Sequence, residues 1–195
     1  MTAAPRSLSL LVHAALGAAI LAAAGCQGIP EPPGRNSKVL FAGSLEEVRP
    51  MDVVVAPIID QSVDGEVPLL ELRQAFQRHL IRRRYSALSL PYTDRRVVNA
   101  SYQPGALYED AILQITVREW DLSRFDSNGE VGARIEAWML SAEDETELWG
   151  GQLERTFYLA DDLQNMATTK GALGIVAEDI AAELLEVLPA RTPRP

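Results

Sequence analysis

Few side chains in this 195-residue chain are of the types that make and break bonds. A general base needs a nucleophile and an orienting acid within hydrogen-bond reach. His79 is the only histidine after residue 25; it lies between Arg78 and Leu80 in a helical pattern, and no such setting is spelled out around it. With one histidine there and one cysteine, Cys26, a zinc centre would need an unusual carboxylate-rich set. Asp126-Ser127-Asn128-Gly129-Glu130 has part of a calcium loop, but the first position of that motif falls on Arg124 and its closing glutamate on Ile135. Lys170-Gly171-Ala172-Leu173-Gly174 places its lysine ahead of the glycines, the reverse of a phosphate-binding loop. The chain therefore reads as non-enzymatic, with no catalytic residue, no metal and no cofactor.

Two constellations could bind without catalysing. Arg78, Arg82, Arg83 and Arg84, joined in sequence by Arg95 and Arg96, form a basic cluster that could meet carboxylates or a phosphorylated lipid. Cations also belong at the carboxy terminus of a helix, where the macrodipole favours them. Trp120, Trp138 and Trp149 could wall a ligand site, or simply pack across strands. Arg78, Arg82, Arg83, Arg84, Trp138 and Trp149 are the candidate partner contacts.

The residue with the most definite chemistry is Cys26. Ahead of it stand a single cation, Arg6, an almost uncharged run from Leu8 to Ala24, and small residues, the order of a secretory signal. That run is alanine-rich and interrupted by His13 and Gly17, a poor permanent membrane span. Leu21-Ala22-Ala23-Ala24-Gly25-Cys26 resembles the bacterial lipobox, with Ala23 where leucine is usual. The resemblance implies lipidation of Cys26 and removal of residues 1–25. Gln27 after the cysteine, in place of the aspartate that favours inner-membrane retention in enterobacterial lipoproteins, implies the outer membrane facing the periplasm. Several acyl chains on one cysteine give lasting attachment where one alone is marginal. Asn99-Ala100-Ser101 fits a glycosylation sequon, but a bacterial lipoprotein does not ordinarily meet that machinery.

Without residues 1–25 the chain carries 17 basic and 27 acidic side chains, a formal charge of −10 over 170 residues. That balance argues against nucleic-acid partners, whose phosphates must be neutralised. The length suits one domain. Residues 26–37 hold prolines and glycines with little to bury and read as a tether; residues 38–188 read as the globular domain, and 189–195 as a disordered basic tail.

Within the domain, Asp52 to Ile59 reads as a buried strand that Pro57 disturbs near its end. Leu69, Leu72, Phe76 and Leu80 recur at helical spacing over residues 67–83, with Arg73, Gln77, Arg78 and Arg82 on the opposite side. Tyr85 to Leu90 is a second predicted strand, and Tyr92 to Tyr108 a loop with one short helix. Ala111 to Trp120, Glu130 to Leu140 and Leu148 to Leu159 alternate as an antiparallel meander. A hairpin turn at Asn128-Gly129 and an acidic turn over Glu143 to Glu147 join them, with a bulge expected at Gly150-Gly151. Asp161 can cap a short helix. Leu173, Val176, Ile180, Leu184 and Val187 mark a terminal helix near 170–188, stopped by Pro189. The fold class is α/β (α+β): a strand-helix-strand unit and a three-stranded meander in one mixed sheet, packed by two helices.

Val53 to Ser62, Ala111 to Val117 and Glu147-Leu148-Trp149-Gly150-Gly151 resemble the small domain shared by the TolB amino-terminal, CsgG-like and LpoB-like families. Phe125, Ala137-Trp138-Met139-Leu140, Phe157 and Ile180 to Leu184 are similar to PqiC-type ABC-transport auxiliary lipoproteins. The first resemblance implies a periplasmic accessory or scaffold for envelope or cell-wall assembly, with envelope proteins as partners. The second implies an auxiliary role in lipid or solute transport. The sequence leaves self-assembly open.

Overall fold

A computed structural model describes residues 36–63, 66–96, 104–159 and 169–192. The chain opens with β1 (Ser37–Ala42), a one-turn helix α1 (Leu45–Val48), β2 (Asp52–Val55) and β3 (Ile59–Asp60). Helix α2 (Leu69–Arg82), β4 (Ser86–Ala87) and α3 (Leu90–Asp94) follow. The meander is β5 (Ala111–Asp121), the one-turn α4 (Phe125–Asn128), β6 (Glu130–Ser141) and β7 (Glu147–Tyr158), and the last element is α5 (Thr169–Glu186). The strands form one mixed sheet in the order β1-β7-β6-β5-β2-β4, with β3 paired to β5 off that path.

The strand-helix-strand unit is present: β2 runs parallel to both β4 and β5, and α2 lies between β2 and β4 in sequence. The strand expected over residues 52–59 is split. Val55 pairs with Leu113 and Ile59 with Thr116, so this segment uses one residue more than β5 over the same span, at Ala56-Pro57-Ile58. Proline has no ladder donor to give, and the break falls there. The second strand is shorter than expected, because Leu90 already begins α3.

Alternation along β6 sets the two faces of the sheet. Val131, Ala133, Ile135, Ala137 and Met139 are buried in the core, while Glu130, Gly132, Arg134, Glu136, Trp138 and Leu140 are half-buried on the other side. Over the core face lie Leu72, Ala75, Phe76 and Leu80 of α2 and Ala172, Leu173, Val176, Ala177, Ile180, Ala181, Leu184 and Leu185 of α5. The α5 face is wider than its leucine and isoleucine spacing predicts, since three small alanines join it. That lets α2 and α5 lie side by side over the sheet.

Five further details differ from the sequence reading. Ser37, assigned to the tether, is the first residue of β1, an edge strand antiparallel to β7 in which only Ser37 is buried. A strand with exposed side chains on both faces has no alternation to detect. Arg73, assigned to the polar side of α2, is buried: its Nε and Nη2 donate to the Val55 carbonyl at 3.0 and 2.9 Å, and its Nη1 pairs with Asp94. The β5–β6 loop expected to turn at Asn128-Gly129 contains the helical turn α4, closed by Gly129 with the expected left-handed backbone (φ 66°). The bulges lie beside Gly150-Gly151: Leu40 is extra in β1 opposite the pair, and Leu148 is extra in β7 just before it. Residues 189–192, assigned to the tail, are held to the domain, the Tyr85 hydroxyl donating to the Pro189 carbonyl at 2.9 Å and the Arg191 amide to the Arg83 carbonyl at 3.0 Å. Cys26, the expected tether as far as residue 35 and the cap at Asp161 lie outside the described residues.

Candidate functional site

The basic cluster does not present itself as one surface. Arg78 and Arg82 lie one turn apart on α2 and both reach Glu178 of α5, at 2.5 Å and 3.4 Å. His79 stands between them, its Nε2 3.1 Å from Glu178 Oε1 and 2.8 Å from Arg82 Nη1. Burial, then the neighbouring Arg82, pushes the His79 pKa below its ordinary value, with Glu178 opposing. The hydrogen bond from Arg78 does most to hold the Glu178 carboxyl below its usual range. Next to it, burial raises Asp179. A neutral imidazole that accepts from Arg82 fits this arrangement. This is a charge network sealing the α2–α5 seam, and it has no nucleophile among its bonded members.

Arg83 and Arg84 turn elsewhere. Arg83 Nη2 donates to the Leu188 carbonyl, tying the end of α2 to the end of α5. Arg84 takes a left-handed backbone (φ 69°) that turns the chain out of the helix. Arg95 Nε donates to the Pro91 carbonyl, and Arg96 stacks over the Tyr92 ring at 5.3 Å. Sequence reasoning missed Glu178, although a signal was available: an acid on one amphipathic helix complements the arginines of another.

The tryptophans also separate. Trp120 and Trp149 belong to the hydrophobic core, whereas Trp138 lies on the opposite face of the sheet, away from the described helices α2 and α5. Trp138 and Trp149 are nonetheless organised by the same glycine pair. A Cβ at Gly150 would stand 2.4 Å from Trp138 Cζ3, and one at Gly151 2.7 Å from Trp149 Cη2. Each indole thus lies flat on β7 over a missing side chain, one on either face. The two rings cannot wall one ligand site. Trp138 is the one available to a partner, on the face that also carries Phe41, which pairs across β1–β7 with Gly150.

No family model matches the chain, and no curated protein matches it in sequence. Solved structures do match. The PelC dodecamer of Paraburkholderia phytofirmans aligns in one structure over 80% of this chain and 98% of its own, with a TM-score of 0.53 at 16% identity. A second structure of that dodecamer gives a TM-score of 0.52 at 14% identity over the same shares. Lipoprotein GNA1162 of Neisseria meningitidis aligns over 71% of this chain and 99% of its own, with a TM-score of 0.46 at 18% identity. At these identities the PelC likeness is one of fold.

Proposed function

We propose that this chain is a non-enzymatic bacterial lipoprotein, anchored through lipid on Cys26, whose domain serves as an accessory or scaffold for assembly in the outer envelope. The observation that carries the reading is the lipobox-like Leu21 to Cys26 followed, 11 residues after the cysteine, by the first strand at Ser37. An extended chain of that length reaches at most about 36–40 Å, enough to hold the domain close to a bilayer. No helix among the described residues is long and apolar enough to cross a membrane. That leaves the lipid to do the anchoring in this reading.

The two PelC structures, with TM-scores of 0.53 and 0.52, are named as dodecamers, and we take self-assembly of the domain as part of the proposal. Charge networks within each copy, such as that at Glu178, leave the sheet face with Trp138, away from α2 and α5, as the side offered to a neighbour or an envelope protein. The test is metabolic labelling with palmitate and membrane fractionation of the full chain and of Cys26→Ser. Label and membrane association are expected in the first and lost in the second; labelling that survives Cys26→Ser refutes the anchor. A hydrolase activity abolished by one point substitution would refute the non-enzymatic part.

A further inference from the structure

One end of the domain, where α1, the start of β4 and residues 189–192 meet, carries positive charge that the fold leaves without an acid. A cleft there of ≈ 180 Å³ is lined by Glu46, Arg49, Tyr85, Pro189, Arg191 and Thr192, among others. A larger cleft of ≈ 620 Å³ shares Arg49 and Arg191 with it and continues past Val48 and Met51. Several arginines elsewhere are matched to acids: Arg118 to Glu136, Arg134 to Glu119, Arg155 to Glu183, and Arg78 with Arg82 to Glu178. Among the described residues Arg49, Arg83 and Arg191 have no carboxylate partner. The exposed Arg49 donates from Nε to the Glu46 carbonyl at 2.9 Å, and the Nε atoms of Arg83 and Arg191 are buried with no acceptor.

Tyr85 shows that these cations converge. Its hydroxyl is fixed on the Pro189 carbonyl, and Arg83 and Arg191 are near enough to draw its pKa down, although burial raises it to about 12 and keeps the phenol neutral. Of the three acids of the adjoining cleft, Glu109, Asp110 and Glu143, the first two are committed to backbone. Glu109 accepts from the amides of Gly105 and Leu107 at 2.6 and 2.8 Å, and Asp110 from those of Met51 and Asp52 at 2.7 and 3.0 Å. Glu46 is the carboxylate that lines the smaller cleft with Arg49 and Arg191.

We infer that the cleft between Arg49, Tyr85 and Arg191 binds a phosphate group. Two guanidinium groups, Arg49 and Arg191, against Glu46 leave an excess of one positive charge in the smaller cleft, the charge that a phosphodiester would balance. Two forks brought from separate segments of the chain engage different oxygens of a tetrahedral anion, whereas a planar carboxylate is satisfied by one. The phosphate can come from a lipid headgroup, for which exposed Val48 and Met51 beside Arg49 supply an apolar rim, or from the free ion. The site rests on the domain alone and does not depend on Cys26.

Isothermal titration calorimetry of the full chain in detergent, at fixed ionic strength, tests it with inorganic phosphate and with monomeric dihexanoylphosphatidylglycerol. Saturable binding of at least one probe is expected, weakened tenfold or more in Arg49→Gln and in Arg191→Gln and unchanged in Arg124→Gln. Tighter binding of the lipid assigns the headgroup; tighter binding of phosphate assigns the free ion. Absence of saturable binding, or binding that survives both substitutions, overturns the inference. Arg49 is exposed, so its variant keeps the test open even if Arg191→Gln disturbs the docked carboxy terminus.

Discussion

Adding a single methyl group to either glycine of the β7 pair separates the two faces of the sheet energetically. In the strand interior, alanine gains roughly 0.5–1 kcal/mol over glycine from backbone entropy alone. Against that gain stands the overlap. At Gly150 the new Cβ would meet Trp138 Cζ3 and Cε3 at 2.4 and 2.5 Å; at Gly151 it would meet Trp149 Cη2 and Cζ2 at 2.7 Å, with Leu184 Cδ1 at 3.3 Å behind. Overpacking of this kind costs about 1–3 kcal/mol. Trp138, half-buried on the opposite face, can lift away, whereas Trp149 is 1% exposed and confined by α5. Gly150→Ala should therefore cost about 1 kcal/mol net and Gly151→Ala about 2–3 kcal/mol, near the upper end of the overpacking range. Urea unfolding of the full chain, followed by far-UV circular dichroism, reads both. A cycle with Trp138→Ala isolates the contact: in that background Gly150→Ala should become neutral or stabilising. An equal cost of Gly150→Ala with and without the indole would refute the idea that the glycine exists to seat the ring.

The remaining predictions concern the polar ties. Because the fold resists protonating His79, whose ordinary pKa is 6.5, the unfolded chain binds the extra proton as pH falls below that value, and stability drops. The depressed Glu178 adds a further loss at lower pH as it protonates, while the raised Asp179 works in the opposite direction in the carboxylate range. His79→Gln should flatten the decline between neutrality and pH about 5 in thermal melts. Arg73→Met should cost about 2–3 kcal/mol in urea unfolding, since it strips two hydrogen bonds from the buried Val55 carbonyl. Tyr85→Phe should cost about 0.5–1.5 kcal/mol and speed amide exchange at residues 189–192, by loss of the bond to the Pro189 carbonyl.

Legibility in the sequence followed the hydrophobic period. The meander could be read almost to the residue, because Val131 to Met139 and Leu113 to Val117 alternate between a buried face and a half-buried one. Both long helices could be read from their three-and-four spacing. Strand β1 could not, because an edge strand exposed on both faces has no period, and the two-residue β3 and β4 are shorter than any pattern. Arg73 escaped because residue type outweighed position. It lies on the buried side of α2, one turn before Phe76 and Gln77, and is admitted there because a carbonyl and Asp94 receive it. The basic cluster was visible as composition, but its division between the Glu178 network and the docked carboxy terminus depends on contacts 100 and 105 residues apart. Local sequence does not encode such distances.

The borders of the sheet constrain how copies of this domain can meet. At one end stands a two-residue strand, β4; at the other stands β1, whose run is kinked by the extra residue at Leu40. A partner strand needs a long, even row of free amides and carbonyls, and short or bulged edges deny it one. Assemblies of this protein are thus expected to grow by side chains meeting across faces, with sheets ending at each subunit boundary and never running on from one copy into the next.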